Sequence, residues 1–140
     1  MSGERLTSGL RARVSAEVTE ADTAAALGSG DVPVLGTPRL LALAEAACVG
    51  ALAGRLEDGQ TTVGTAVSLQ HRRATPVGAS VEVEAELVEV TGRRLRFNFI
   101  GYGPGSGEDA VIGAGTADRV VVRRAKFLDE IGKSGGEAAS

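Results

Sequence analysis

Glu45 is the one charged residue in positions 40–53, where every other residue is apolar or glycine. A carboxylate with no polar face around it is costly to bury unpaired. It marks either a narrow solvent-facing stripe or a group held for chemistry. The surrounding run predicts a helix. Thr37-Pro38 offers a hydroxyl cap followed by a proline whose missing N–H is harmless in the first turn, and Asp58-Gly59 provides a stop. The Thr37 hydroxyl also sits where helix N–H groups favour developing negative charge. Glu45 follows it by ~12 Å along the axis at the usual helical rise. Helical side chains lean toward the helix start, so Thr37 and Glu45 can flank one cleft.

His71 is the sole histidine, in Ser68-Leu69-Gln70-His71-Arg72-Arg73. The two arginines beside it disfavour its protonation and leave a neutral imidazole suited to a base, although a structural role fits the same spacing. Thr37, Glu45 and His71 could therefore share a site. Gly64 lies inside a strand-like stretch, Thr62-Val63-Gly64-Thr65-Ala66-Val67. A glycine there signals either a bulge or close approach by a ligand. The glycine-rich run at 101–107 lacks a following Gly-Lys-Ser/Thr and precedes a strand, which argues against a nucleotide loop. Cys48 is the only cysteine, so no intrachain disulfide forms, and one Cys with one His cannot complete a common zinc set. No metal and no cofactor is expected. Inside the apolar run, Cys48 reads as a small core residue.

The elements that must position these groups follow from periodicity. Residues 10–18 alternate as a first strand, 19–36 read as a loop, and the helix spans 37 to about 56. Strands follow at 61–70, 79–90, 93–102 and 110–124. In the middle pair, Glu82, Glu84 and Glu86 face outward on one strand and Arg94 and Arg96 on the next, which predicts charge pairs between these two neighbours. With 140 residues and 43% hydrophobic content, the chain is expected to form one domain over 1–127. The Gly-, Ser- and Ala-rich 128–140 are expected to be a flexible tail. Three Phe, one Tyr and no Trp leave Val, Leu and Ala to build the core. A net charge of −3 without aromatic-basic stretches gives no case for nucleic acid. The N-terminus has no apolar signal segment and the helix is too short for a span, so a soluble cytoplasmic protein without membrane partners is expected. One helix that is apolar all round needs a sheet to wrap it. A single sheet of about five strands leaves part of it bare, which predicts a homodimer.

At these residues the sequence resembles the fluoroacetyl-CoA thioesterase group of hotdog-fold proteins, over about 34–127. The matching pieces are Thr37 with Glu45, Ala47-Cys48-Val49, Gly64-Thr65-Ala66-Val67 through His71 to Ala74-Thr75-Pro76, Val90-Thr91-Gly92-Arg93-Arg94-Leu95, and Gly115-Thr116 through Arg119 to Lys126-Phe127. The resemblance implies an α+β hotdog fold: an antiparallel sheet around one long central helix, dimeric, with sites near the subunit interface. It implies cofactor-independent hydrolysis of a small or medium acyl-CoA, or a related acyl thioester. Thr37, Glu45 and His71 would be catalytic, Gly64 would hold the thioester carbonyl, and Arg119 would lie in the substrate site. Thr37, Glu45 and water all remain open as nucleophile. Either Arg119 or His71 is the cation expected beside Glu45. One departure stands out: no phenylalanine occurs between Val18 and Thr37, where aromatic residues form a lid in the fluoroacetyl enzyme. Leu27, Val32, Val34 and Leu35 would have to serve, which points to a different acyl group. The alternative is a non-catalytic hotdog protein that binds or sequesters an acyl thioester in the same cleft. Pairing of dimers into a higher oligomer is left open.

Overall fold

The alternation of Val81, Val83, Ala85 and Leu87 with glutamates makes a strand with one buried and one wet face, and all four apolar side chains are fully or almost fully buried. The computed structural model describes residues 5–139, with side chains described to residue 133. Its elements are β1 (Arg11–Glu17), a short α1 (Ala24–Leu27), the long α2 (Thr37–Ala51), β2 (Gln60–His71), β3 (Ser80–Thr91), β4 (Arg94–Tyr102), β5 (Val111–Arg123) and α3 (Arg124–Ala139). The five strands form one antiparallel sheet in the order β1-β3-β4-β5-β2. This is the α+β hotdog arrangement anticipated from the sequence. The chain must leave β2 at one edge of the sheet and rejoin it at β3, next to the opposite edge. β2 and β3 therefore do not pair, although they are consecutive.

Helix α2 packs mainly on β1 and β3 and touches β2 only sparsely. Leu40, Leu43, Ala44, Ala47, Cys48 and Ala51 face the sheet. There they meet Phe97, Leu87 and Leu95, all essentially without exposure. The other side of the helix, with Ala42, Ala46 and Val49, stays exposed. No described helix is long and apolar enough to cross a membrane.

Four local features differ from the sequence reading. The helix cap position belongs to Gly36, and no side chain caps the helix, so Thr37 is its first residue and its hydroxyl is free for another partner. The stretch before α2 is tied down more than a loop would be. Thr23 caps α1 by accepting from the Ala26 N–H at 3.1 Å, bridges join Thr23 to Leu35 and Val34 to Pro76, and Asp22 binds Arg39 of α2 at 2.9 Å. The charge ladder is real but its partners are different. The register sets Glu84 opposite Ile100 and Glu86 opposite Asn98, so β3 turns to β1 for its cations. Arg11 binds Glu86, Arg13 binds Glu82 and Glu84, and Arg96 binds Asp118 of β5 at 2.8 Å. Finally, residues 124–139 form a helix, an element the sequence reading did not include.

Candidate active site

The candidate residues fall into two groups, which sit at different points along β2. The first joins the start of α2 to the end of β2. Thr37 Oγ1 lies 2.8 Å from Nδ1 of His71. His71 is half-buried, and its Nε2 is out of water with no hydrogen-bond partner among the described residues. A neutral imidazole carries one N–H and one lone pair. With Nδ1 engaged by the hydroxyl, Nε2 is left either to give or to take a proton. Burial holds the His71 pKa below the ordinary imidazole value, with the nearby Arg73 main chain acting in the opposite direction. The neighbouring arginines are not the cause, because their side chains are engaged elsewhere: Arg72 donates to Gln70 at 3.1 Å and Arg73 to the Asp109 carbonyl at 3.1 Å.

A cavity of about 250 Å³ opens beside this pair, walled by Val32, Val34 and Leu35, with Arg72 and Arg73 also lining it. Of the four residues expected to replace an aromatic lid, Leu27 is the exception. It is 44% exposed and does not line the cavity.

The second group surrounds Glu45. Its carboxylate Oε2 accepts from Arg119 Nη1 at 3.1 Å. The Arg119 side chain is 9% exposed and that of Glu45 is 37%. Glu45 is thus neither a bare solvent stripe nor a lone buried charge, and Arg119, not His71, is its cation. Arg119 also donates from Nε to Thr62 Oγ1 at 3.0 Å and from Nη2 to the Thr62 carbonyl at 3.1 Å. Gly64 pairs with Arg119 across the β2–β5 ladder, and the register slips between Gly64 and Ala66. The bulge reading of this glycine holds. It stands at a bulge, and it accepts a close approach, since a Cβ there would lie 2.7 Å from Glu45 Oε2. The approaching group is the chain's own Glu45 carboxylate, not a ligand. Thr65, inside the bulge, donates its hydroxyl to the Asp118 carbonyl at 3.2 Å.

Gly64 and His71 are separated by ~23 Å of extended strand at the usual rise. Within one chain, Thr37 and His71 come together, and Glu45, Gly64 and Arg119 come together. Glu45 does not meet His71, and it does not line the cavity at Thr37. Burial drives the Cys48 thiol up to about 12, so it stays protonated and inert. Thr62 escaped the sequence reading, though its position two residues before Gly64 puts it on the same strand face.

The family described as fluoroacetyl-CoA-specific thioesterase, FlK, matches residues 18–125. A fluoroacetyl-CoA thioesterase of Streptantibioticus cattleyicolor is 43% identical over 96 residues, which is 67% of this chain and 65% of that protein. The match thus spans slightly under two thirds of the relative's length. Among solved structures, a threonine-to-serine mutant of FlK in complex with acetyl-CoA superposes with a TM-score of 0.84 at 32% identity, covering 92% of this chain and 98% of that one. A Thermus thermophilus thioesterase superfamily member gives a TM-score of 0.82 at 26% identity, covering 94% of this chain and 96% of that one. With most of its length matched and its hotdog sheet superposed on these relatives, the chain belongs to the fluoroacetyl-CoA-specific thioesterase family.

Proposed function

We propose that this protein is an acyl-CoA thioesterase that cleaves a short acyl-CoA to the free acid and CoA thiol. The observation that carries this is the Thr37–His71 hydrogen bond beside a small aliphatic cavity. His71 acts as general base toward the attacking group and then as acid toward the departing thiolate. The Gly64 N–H, at the bulge, stabilises the oxyanion of the tetrahedral intermediate. Glu45, Thr37 and water each fit the nucleophile's place. Arg72 and Arg73, which also line the cavity, suit the phosphates of CoA. Val32, Val34 and Leu35 replace an aromatic lid with aliphatic walls, so unfluorinated acetyl and its close homologues are the substrates to expect. The reaction needs no cofactor, and the enzyme works in the cytoplasm, where acyl-CoA is at hand.

The working unit in this proposal is a homodimer. β2 forms one edge of the sheet, and residues 64–68 of it are exposed. Its run Thr65-Ala66-Val67-Ser68 has no proline or charge to repel a second strand. A twofold axis between Val67 and Ser68 would set Gly64 of one chain opposite the partner's His71, because antiparallel pairing about that point matches 64 with 71. The same contact would cover the bare side of α2. Each site would then combine Thr37 and His71 of one chain with Glu45, Gly64 and Arg119 of the other.

Release of free thiol from acetyl-, fluoroacetyl- and longer acyl-CoAs tests the reading. Turnover by the wild type that falls sharply in both Glu45→Gln and His71→Ala supports it. Tight acyl-CoA binding with no turnover by the wild type would instead establish the sequestering protein.

A further inference from the structure

Arg119 is a planar fork, and its three donor positions are divided unequally. Two of them, Nε and Nη2, go to Thr62, through its hydroxyl at 3.0 Å and its carbonyl at 3.1 Å. Only Nη1 reaches Glu45, and it reaches Oε2 alone. Gly64 walls the same oxygen from the strand side. Among the described residues Oε1 has no hydrogen-bond partner, and the side chain is 37% open to solvent. One carboxylate oxygen is therefore fixed and the other is left for the reacting atoms. What fixes it is a guanidinium whose plane and rotation are set by a single threonine. An arginine held at one end by two bonds cannot swing to meet Glu45 with both nitrogens.

We propose that Thr62 is a positioning residue for catalysis. By orienting Arg119 it restrains Glu45 to one-oxygen contact and keeps Oε1 aimed into the acyl-thioester site. The inference rests on the thioesterase reading above, in which Glu45 belongs to the site. It does not depend on whether Glu45 or another group is the nucleophile. The hydroxyl is the active part, because any residue at 62 would supply the carbonyl. Threonine in a strand is otherwise unremarkable, and valine, which has the same shape and a high strand preference, would replace it without loss if the role were only structural. With valine, the Nε–H of an almost fully buried arginine would be left without an acceptor.

The test compares Thr62→Val with Thr62→Ser in the full-length protein, using acetyl-CoA hydrolysis followed by thiol release. A hydrogen bond from a charged donor corresponds to about tenfold in rate, so Thr62→Val should lower kcat about tenfold with KM unchanged. Thr62→Ser, which keeps the oxygen, should restore kcat to within about twofold of wild type. In the Glu45→Gln background, Thr62→Val should add no further loss, since its effect passes through the carboxylate. Wild-type kcat in Thr62→Val, a loss confined to KM, equal loss in the valine and serine variants, or an additive loss with Glu45→Gln each overturns the proposal. If the wild type turns over acetyl-CoA and Glu45→Gln does not, while Thr62→Val is unaffected, this inference fails and the thioesterase reading stands. If the wild type turns over no acyl-CoA at all, both fall.

Discussion

Thr37 accepts no capping hydrogen bond from its own helix, and its hydroxyl lies 2.8 Å from Nδ1 of His71. The position looks like that of a capping residue, and a capping threonine lost to alanine costs about 1 kcal/mol of stability. Here the hydroxyl holds an imidazole instead. Thr37→Val should therefore leave the melting temperature almost unchanged while kcat/KM falls about a hundredfold, the lower end expected for loss of assisted proton transfer. Thr37→Ser should retain most of the rate. Thermal melts alongside thiol-release kinetics check both halves. A valine variant that loses stability but keeps its rate would return Thr37 to a structural role.

His71 gives a pH prediction with a definite sign. Burial disfavours the imidazolium and lowers its pKa from the ordinary 6.5. The folded chain thus binds this proton more weakly than the unfolded chain. Stability from neutral His71 is fully present above about pH 6.5 and is lost as the pH falls toward the lower folded value, where the unfolded state takes up the proton first. The acid limb of kcat/KM should accordingly lie below 6.5 in the free enzyme. Because His71 is the only histidine, a single imidazole NMR signal reports its titration without mutants. A midpoint at or above 6.5 would contradict the buried setting.

The elements that could be read from the sequence were those with long, regular periods. α2 declared itself by an apolar run broken only at Glu45, and β3 and β4 by alternation over nine or more residues. What could not be read depends on pairing between distant strands. Periodicity says that residues 60–71 are extended, but not that they pair with β5 and lie far from β3. The same gap hid the charge partners, since Glu82 and Glu84 find Arg13 only once β1 lies beside β3. It also hid Thr62, an ordinary strand residue until Arg119, set opposite Gly64 by the β2–β5 register, reaches back to it. Glu45 was visible because it breaks a pattern. α1, only four residues long, makes too little pattern to see.

Two glycines on adjacent strands should respond to alanine in opposite ways. At Gly64 the new methyl meets Glu45 Oε2 at 2.7 Å, the far end of a flexible side chain that can move aside. Gly64→Ala should fold with little loss of stability, but kcat should drop by at least about tenfold as the carboxylate is displaced and the bulge is crowded. At Gly115 the methyl would lie 1.8 Å from the Ser68 carbonyl oxygen and 2.9 Å from the Phe99 ring, inside the β2–β5 ladder. That clash involves backbone, so Gly115→Ala should destabilise the fold by about 3 kcal/mol or prevent folding altogether. Chemical denaturation and steady-state kinetics on the two variants separate the site glycine from the sheet glycine. A Gly64→Ala enzyme with normal kcat would show that Glu45 has room to spare.

The division of the site along β2 makes the proposed dimer testable without a crystal. If His71 of one chain works with Glu45 of its partner, a Glu45→Gln chain and a His71→Ala chain complement each other. In a mixed dimer one site receives both substitutions and the other receives neither. Each parent alone has no intact site. Random re-pairing yields half mixed dimers with one good site each, so an equal mixture should recover about a quarter of wild-type activity. Val67→Lys, placed on the exposed part of the β2 edge, should abolish this recovery by keeping the chains apart, and should elute as a monomer on size exclusion. Co-refolding the two variants before the assay ensures exchange. No recovery from a mixture shown to contain mixed dimers would mean that each chain keeps its own Glu45 and His71, and would require a conformational change to close the ~23 Å of strand between His71 and Gly64, the residue beside Glu45.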